Sequence, residues 1–214
     1  MTYPKKIDRL LVWITASIFV LALILVFTLH ETQKPISLNL INQPMLGDYN
    51  APVQVVVFED FMCEECQYFS TEVFPKINEE YIKPGKISLK LIPISFLPYS
   101  KKVSESAYCI YVQDKPLFWE FLNLWFEKVP SFQVNSTLNT VLKSLPSLDR
   151  IAYNKCIRSK DFMKANDSNL KIAEKMIHPE VEVPAVFVNG QRAPSYTYET
   201  LKQIITAEIE RNEI

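Results

Sequence analysis

Apolar residues are distributed along this chain in three ways: as one long unbroken run, as short dense runs of β-branched residues, and as positions three or four apart. The long run is Leu10 to Leu29, LLVWITASIFVLALILVFTL, interrupted only by Thr15, Ser17 and Thr28, whose hydroxyls can bond back to a helix. Twenty helical residues at about 1.5 Å each span roughly 30 Å, the thickness of a bilayer hydrocarbon core. No polar face breaks the run, unlike a helix packed on a globular core. A cleaved leader would have an apolar stretch of about 7 to 15 residues ending in a small-x-small site; here the end is Val26-Phe27-Thr28-Leu29-His30, which is too bulky. The pattern predicts an uncleaved transmembrane anchor over residues 10–29. Lys5, Lys6 and Arg9 precede it and only Lys34 follows closely, so the positive-inside rule places residues 1–9 in the cytoplasm and the rest outside.

Residues 30–43 read as a tether, and folding is expected to begin near residue 44. Val53 to Phe58 (VQVVVF) reads as a strand in the middle of a sheet. From Cys63 to Asn78 the apolar residues Cys66, Phe69, Val73 and Ile77 recur at helical spacing among Glu64, Glu65, Gln67, Ser70 and Glu72. Pro75 should kink that helix or end its regular part near Phe74. Lys83-Pro84-Gly85-Lys86 is a turn, and Ile87 to Ile94 is a second strand. Five helices are then predicted: Ser100–Val112, Leu117–Lys128, Thr137–Leu145, Leu148–Ser159 and Asp161–Ile177, punctuated by prolines 116, 130 and 146. Ala185 to Val188, the Asn189-Gly190 turn and a run from Gln191 read as a hairpin, because Asn-Gly suits a type I′ turn. A last helix covers about Tyr198 to Glu210, with Leu201, Ile204, Ile205 and Ile209 inward. The order is βαβ, a helical block, then ββα: an α/β domain from residues 44–94 and 178–214, interrupted by a helical insertion at 95–177.

A net charge of −1 gives no basic excess for a nucleic-acid partner. The three glycines, Gly47, Gly85 and Gly190, are isolated, so no glycine-rich phosphate loop can form.

The chemistry concentrates in Cys63-Glu64-Glu65-Cys66. A helix starting directly after a strand leaves its first cysteine among unpaired N–H groups, which stabilise the nucleophilic thiolate. Cys63 is therefore the candidate attacking sulfur. Cys66 lies one turn deeper on the apolar stripe, as a resolving thiol would, and Cα atoms three apart in a helix, roughly 5 Å, are within disulfide reach. Glu64 and Glu65 place negative charge beside the thiolate and oppose its formation, which predicts an oxidant milder than a neutral or basic dipeptide would give. A zinc site needs four ligands, and Cys109, Cys156 and His178 are isolated in sequence; no metal is expected. A histidine-assisted hydrolase is poorly served by two histidines, one of which, His30, borders the apolar run.

Val183-Pro184 has two readings: a proline tolerated at a strand start, or a cis bond that presents the Val183 backbone to an extended substrate peptide. Here a resemblance bears on the choice. Pro44-Met45-Leu46-Gly47-Asp48 through Ala51-Pro52-Val53, then Phe58-Glu59-Asp60-Phe61-Met62-Cys63-Glu64-Glu65-Cys66, and later Val183-Pro184-Ala185-Val186-Phe187-Val188-Asn189-Gly190, together resemble the DsbA-like branch of the thioredoxin superfamily, over about residues 44 to 210. The resemblance implies a thioredoxin fold with an inserted helical domain, here preceded by one transmembrane helix. It further implies a cis Pro184 facing the Cys63–Cys66 pair, exported cysteine-containing polypeptides as substrates, and a membrane redox partner of the DsbB type. No cofactor is implied beyond the redox-active disulfide. Two features depart from the family. Many relatives bury an acid six residues before the first cysteine, where this chain has Val57, with Glu59 and Asp60 nearer; and the Glu-Glu dipeptide replaces the Pro-His or Pro-Tyr type.

Cys109 and Cys156 fall in the helical block. In an oxidising compartment a bridge between them is favoured over two buried thiols, and some DsbA-like proteins carry such a second disulfide. The expected activity is introduction of disulfides into exported proteins, outside the cytoplasm. The alternatives are a disulfide reductase or isomerase of the same fold, and a tethered, non-catalytic peptide-binding or chaperone module whose cysteines staple a helix.

Overall fold

The computed structural model describes residues 11–22, 43–128 and 133–212. The chain divides into two units, Met1–Pro35 and Ile36–Ile214, described separately. In the first, residues 11–22 form a helix, α1, whose Leu11, Trp13, Phe19 and Leu21 side chains are exposed. Thr15 and Ser17 donate back to Leu11 or Val12 and to Trp13 respectively. Among the described residues no helix is long and apolar enough to cross a membrane. The anchor expected over 10–29, the N-terminus at 1–9 and nearly all of the 30–43 tether extend outside the described residues.

The second unit is built on a five-stranded sheet in the order β1-β3-β2-β4-β5. Its strands are β1 (Met45–Leu46), β2 (Val53–Glu59), β3 (Ile87–Pro93), β4 (Ala185–Val188) and β5 (Gln191–Arg192). β2 runs parallel to β3, from Val53 opposite Ile87 to Glu59 opposite Pro93. Its other edge pairs antiparallel with β4, Val55 opposite Val188 and Phe58 opposite Ala185. β1 was not expected, because two residues carry no periodicity. It pairs antiparallel with β3 and is followed by Gly47 at φ +85, where a Cβ would stand 2.5 Å from the Ile87 carbonyl oxygen; only glycine fits there.

Side chains alternate faces along a strand. Val53, Val55 and Val57 accordingly join a core with Cys66, Phe69, Val73 and Ile77, while Phe58 joins Ile92, Ala173, Met176 and Phe187 in a second cluster. Gln54 is exposed, so β2 is not buried uniformly on both faces.

The helix after the cysteines, α2, spans residues 64–82. It is α-helical over Glu64–Tyr68 and Phe74–Ile77, with π-helical turns at Phe69–Val73 and Asn78–Ile82. Four of its buried side chains, Phe69, Val73, Ile77 and Tyr81, recur every four residues, whereas a regular α-helix would rotate each step by about 40° too far. The wider π turns absorb that excess. The first of them ends just before Pro75, so the proline does not end the helix, which runs four residues beyond the expected Asn78.

Between β3 and β4 lie α3 (Ser100–Tyr111), α4 (Lys115–Lys128), α5 (Val134–Lys143), α6 (Arg150–Ser159) and α7 (Asp161–Met176); α8 (Tyr198–Asn212) closes the described chain. Pro116 falls inside the first turn of α4, where a missing N–H is tolerated, and the Asp114 carboxylate caps that turn through Leu117 N–H at 3.0 Å. Asp149 caps α6 through Ile151 and Ala152. These caps move both helix starts by two residues from the expected positions. A disulfide joins Cys109 of α3 to Cys156 of α6, Cα atoms 5.6 Å apart.

Candidate active site

The site forms where β2 ends and α2 begins. Asp60, fully buried, shapes the turn. Its carboxylate accepts from Met62 N–H at 2.9 Å and from Phe96 and Leu97 N–H, both at 3.0 Å, and its carbonyl accepts from Cys63 N–H at 3.0 Å. One side chain thus fixes the approach to the cysteines and fastens the loop after β3 beside them. Trp125 Nε1 donates to the Phe61 carbonyl at 2.8 Å and Gln67 Nε2 to the Phe126 carbonyl at 2.7 Å, so α4 clamps the start of α2 from the helical side.

Cys63 is the N-cap of α2, with extended backbone at φ −81°, ψ 129°, and is 8% exposed; Cys66 is completely buried. Both are thiols in this structure. The Cys63 sulfur lies 3.3 Å from Glu65 Oε2 and 3.4 Å from the Val183 carbonyl oxygen. The peptide bond between Val183 and Pro184 is cis, as is that between His178 and Pro179. The bond at 179 had no counterpart in the expectations.

Cys63 is held below the ordinary thiol range, chiefly by the hydrogen bond from the Cys66 thiol; burial opposes this, the Cys66 and Glu65 N–H groups assist, and the Glu65 carboxylate opposes. The open helix end therefore contributes, but less than the partner sulfur does. Cys66 is pushed well up by burial first, then by its bond to Cys63 and by the charges of Glu59 and Cys63. Glu64 is exposed.

Beside Asp60, the site buries a second acid, Glu59. It is 1% exposed, and burial raises its carboxyl to about 8, with the Ser70 hydroxyl lowering it and the Cys63 charge raising it further. Ser70 Oγ donates to both carboxylate oxygens, at 3.3 and 3.4 Å. Val57 and Glu59 are two apart on one strand and so face the same side, the side α2 covers. The acid absent at Val57 is thus supplied one pleat nearer the cysteines.

Cys63, Glu64, Glu65, Val183 and Pro184 line one groove of about 920 Å³ with Phe96, Leu97 and Tyr196, among others. Tyr68 and Tyr196 meet edge to face, centroids 6.4 Å apart, at its border, and Glu182 pairs with Arg192 at 3.3 Å. Cys109 and Cys156 lie away from it, in the helical block. Sequence reasoning missed Phe96, Leu97, Ser70 and Tyr196. Only Ser70 carried a local signal, one helical turn beyond Cys66. Among the described residues no three His, Cys, Asp or Glu side chains cluster as a metal site would require.

A family model described as Thioredoxin matches residues 39–207. The probable disulfide bond formation protein D of Bacillus cereus is 31% identical over 180 residues, covering 79% of this chain and 80% of that protein. Disulfide bond formation protein D of Bacillus subtilis is 25% identical over 173 residues, 78% of this chain and 77% of that one. Among crystal structures, oxidised BdbD from Bacillus subtilis superposes with a TM-score of 0.72 at 24% identity, covering 80% of this chain and 95% of that one. Chlamydia trachomatis DsbA gives 0.74 at 22%, covering 86% and 99%. These two likenesses are of fold.

Proposed function

Because the chain belongs to the DsbA-like thiol-disulfide oxidoreductases of the thioredoxin family, we propose that it introduces disulfide bonds into exported proteins through Cys63 and Cys66, from a position anchored on the outer side of the cell membrane by residues 10–29. The observation that carries this reading is the asymmetry of the two sulfurs. One is at the groove and held low; the other, three residues on, is buried and pushed up.

The cycle starts from the Cys63–Cys66 disulfide. A substrate thiolate attacks Cys63 Sγ; the bond to Cys66 breaks and its electron pair leaves on the Cys66 sulfur. That sulfur, unfavourable as an anion in its buried place, takes a proton. Glu59 is the nearby source: its charge is felt at Cys66, it feels the charge of Cys63, and it retains its proton at neutral pH. The substrate's second thiolate then attacks the substrate sulfur of the mixed disulfide and expels Cys63 as a thiolate, the better of the two leaving groups. The substrate has lost two electrons to the pair and two protons to solvent; the pair is left as the Cys63 thiolate and the Cys66 thiol, and Glu59 regains its proton from solvent, until a membrane partner of the DsbB type reoxidises the sulfurs. Val183 and Pro184 border the sulfur, and the Val183 carbonyl is free of the β4 ladder to meet an extended substrate backbone. The redox pair is the only prosthetic chemistry this cycle uses.

A second reading, reduction or isomerisation, draws on the Glu65 carboxylate 3.3 Å from Cys63, which disfavours the thiolate and so the reduced product of an oxidase. Trapping thiols in intact cells separates the two. A pair found mainly as a disulfide supports the oxidase, and one found mainly as a dithiol overturns it. Loss of substrate oxidation in Cys63→Ser tests the enzyme against a binding module, which would keep its peptide affinity.

A further inference from the structure

The charges around the reactive sulfur do not balance. Three acids line the thiol groove, Glu64, Glu65 and Glu182, against one base, Arg192. Arg192 is held by Glu182 at 3.3 Å and by the His178 carbonyl at 3.4 Å. Glu64 and Glu65 are both exposed, and among the described residues neither pairs with a Lys or Arg. The Glu65 charge reaches across the groove: burial first, and then that charge, push the Tyr196 hydroxyl up.

Disulfide exchange brings a further negative charge to this place. The substrate thiolate attacks Cys63 Sγ, the bond to Cys66 breaks, and its electron pair leaves on Cys66. Glu65 Oε2 stands 3.3 Å from Cys63 Sγ, so a substrate sulfur bonded there at about 2 Å ends no further than about 5.4 Å from that oxygen. Once Cys63 is in a disulfide it has no proton to donate, and the carboxylate lacks the donor it has in the dithiol. A cation beside the substrate cysteine answers both deficits, drawing the anion in and pairing with the carboxylate. The aromatic border suits the same group. Glu64 and Tyr68 are four apart in the α-helical start of α2 and share a side; Tyr68 is half-exposed and meets Tyr196 at the edge of the groove, and aromatic faces attract cations. We infer that, given the oxidase reading above, the protein selects exported segments with a Lys or Arg within two residues of the reactive cysteine, and that Glu64 and Glu65 set this preference. The cation rests among the two carboxylates and the Tyr68–Tyr196 pair, while the Val183 carbonyl meets the substrate backbone.

The test uses the oxidised full chain in nonionic detergent and three dithiol peptides that differ only in the residues on each side of the first cysteine: Lys, Gln or Glu. Single-turnover rates are read by acid quench and chromatography. A cationic flank also acidifies the peptide's own thiol, so each rate is divided by that of the same peptide with hydroxyethyl disulfide, a neutral oxidant. At low salt the corrected rate should be at least about tenfold higher for the Lys peptide than for the Glu peptide, with Gln between. About 1 M salt, where the screening length is about 3 Å, should compress that ratio several-fold. Glu64→Gln combined with Glu65→Gln should bring it to within about twofold of one; the change this makes in Cys63 itself acts on all three peptides alike and cancels. Should the double variant not fold, the salt series on the unmodified chain decides. Equal corrected rates, or a preference that is indifferent to salt or survives the double substitution, would overturn the proposal and leave the oxidase reading standing. Oxidation of none of the three peptides would sink that reading, and this one with it.

Discussion

The sulfur of Cys63 lies 3.4 Å from the carbonyl oxygen of Val183, 120 residues further along the chain, and 3.3 Å from the carboxylate of Glu65, two residues away. Both neighbours are acceptors. The acidity of Cys63 is a balance in which the Cys66 thiol and the N–H groups of the helix start favour the thiolate, while burial and then the Glu65 carboxylate oppose it.

Glu65→Gln removes the one charged member of the opposing set. The Cys63 thiol should become more acidic, alkylation by iodoacetamide at pH 6 should speed up, and the reduced form should gain stability relative to the disulfide. Equilibration with glutathione should then report a more oxidising pair, by a tenfold change in the equilibrium constant for each 1.4 kcal/mol gained. An unchanged alkylation profile would show that the carboxylate does not govern the sulfur.

Cys66→Ser should accumulate mixed disulfides with a disulfide-containing substrate, visible as non-reducing gel species: the Cys63 thiolate attacks the substrate disulfide, one substrate sulfur leaves as a thiolate, and no Cys66 thiol remains to displace the other. Cys63→Ser should form none, the buried Cys66 being out of reach.

Glu59 links catalysis to pH. Its carboxyl is raised from 4.5 to about 8 on folding, so between those values the folded chain holds a proton that the unfolded chain has lost, and stability falls as pH rises through that window. The full penalty, reached above pH 8, is on the order of 5 kcal/mol. Urea unfolding of the reduced protein should show a midpoint that drops from pH 5 to pH 8, and Glu59→Gln should flatten that slope. The same substitution should slow oxidation of a dithiol peptide by roughly a hundredfold, the scale of a lost general acid. A rate that is unchanged would remove Glu59 from the proton path.

Cys109→Ala with Cys156→Ala opens a bridge spanning 47 residues, for which the chain-entropy argument gives a loss of about 4 kcal/mol. Denaturant midpoints should fall accordingly, while alkylation of Cys63 at a given pH should stay unchanged, since the bridge joins α3 to α6 away from the groove.

Much of the frame was legible before folding. The β-branched density of Val53 to Phe58, the three-residue spacing of Cys63 and Cys66 at a helix start, and Asn189-Gly190 directly after the apolar run Ala185 to Val188 are local signals, each written within a few residues, and the α/β order followed from them. Boundaries were less legible: Asp114 and Asp149 capped their helices two residues from where periodicity alone put the starts, and the four-residue spacing on α2 gave no hint that π turns, rather than a break at Pro75, would accommodate it.

Local pattern also marked Cys63 as the candidate nucleophile, because a helix end carries its unpaired N–H groups whatever surrounds it. The tertiary structure alone decided how each buried acid is partnered, since Glu59 and Asp60 are adjacent in sequence and both are buried, and only what packs around the end of β2 tells them apart. One is covered by α2 and stays protonated; the other finds three N–H donors, one in its own turn and two from the loop after β3. Solvation and long-range pairing set acidity, and neither is a property of any short stretch of chain.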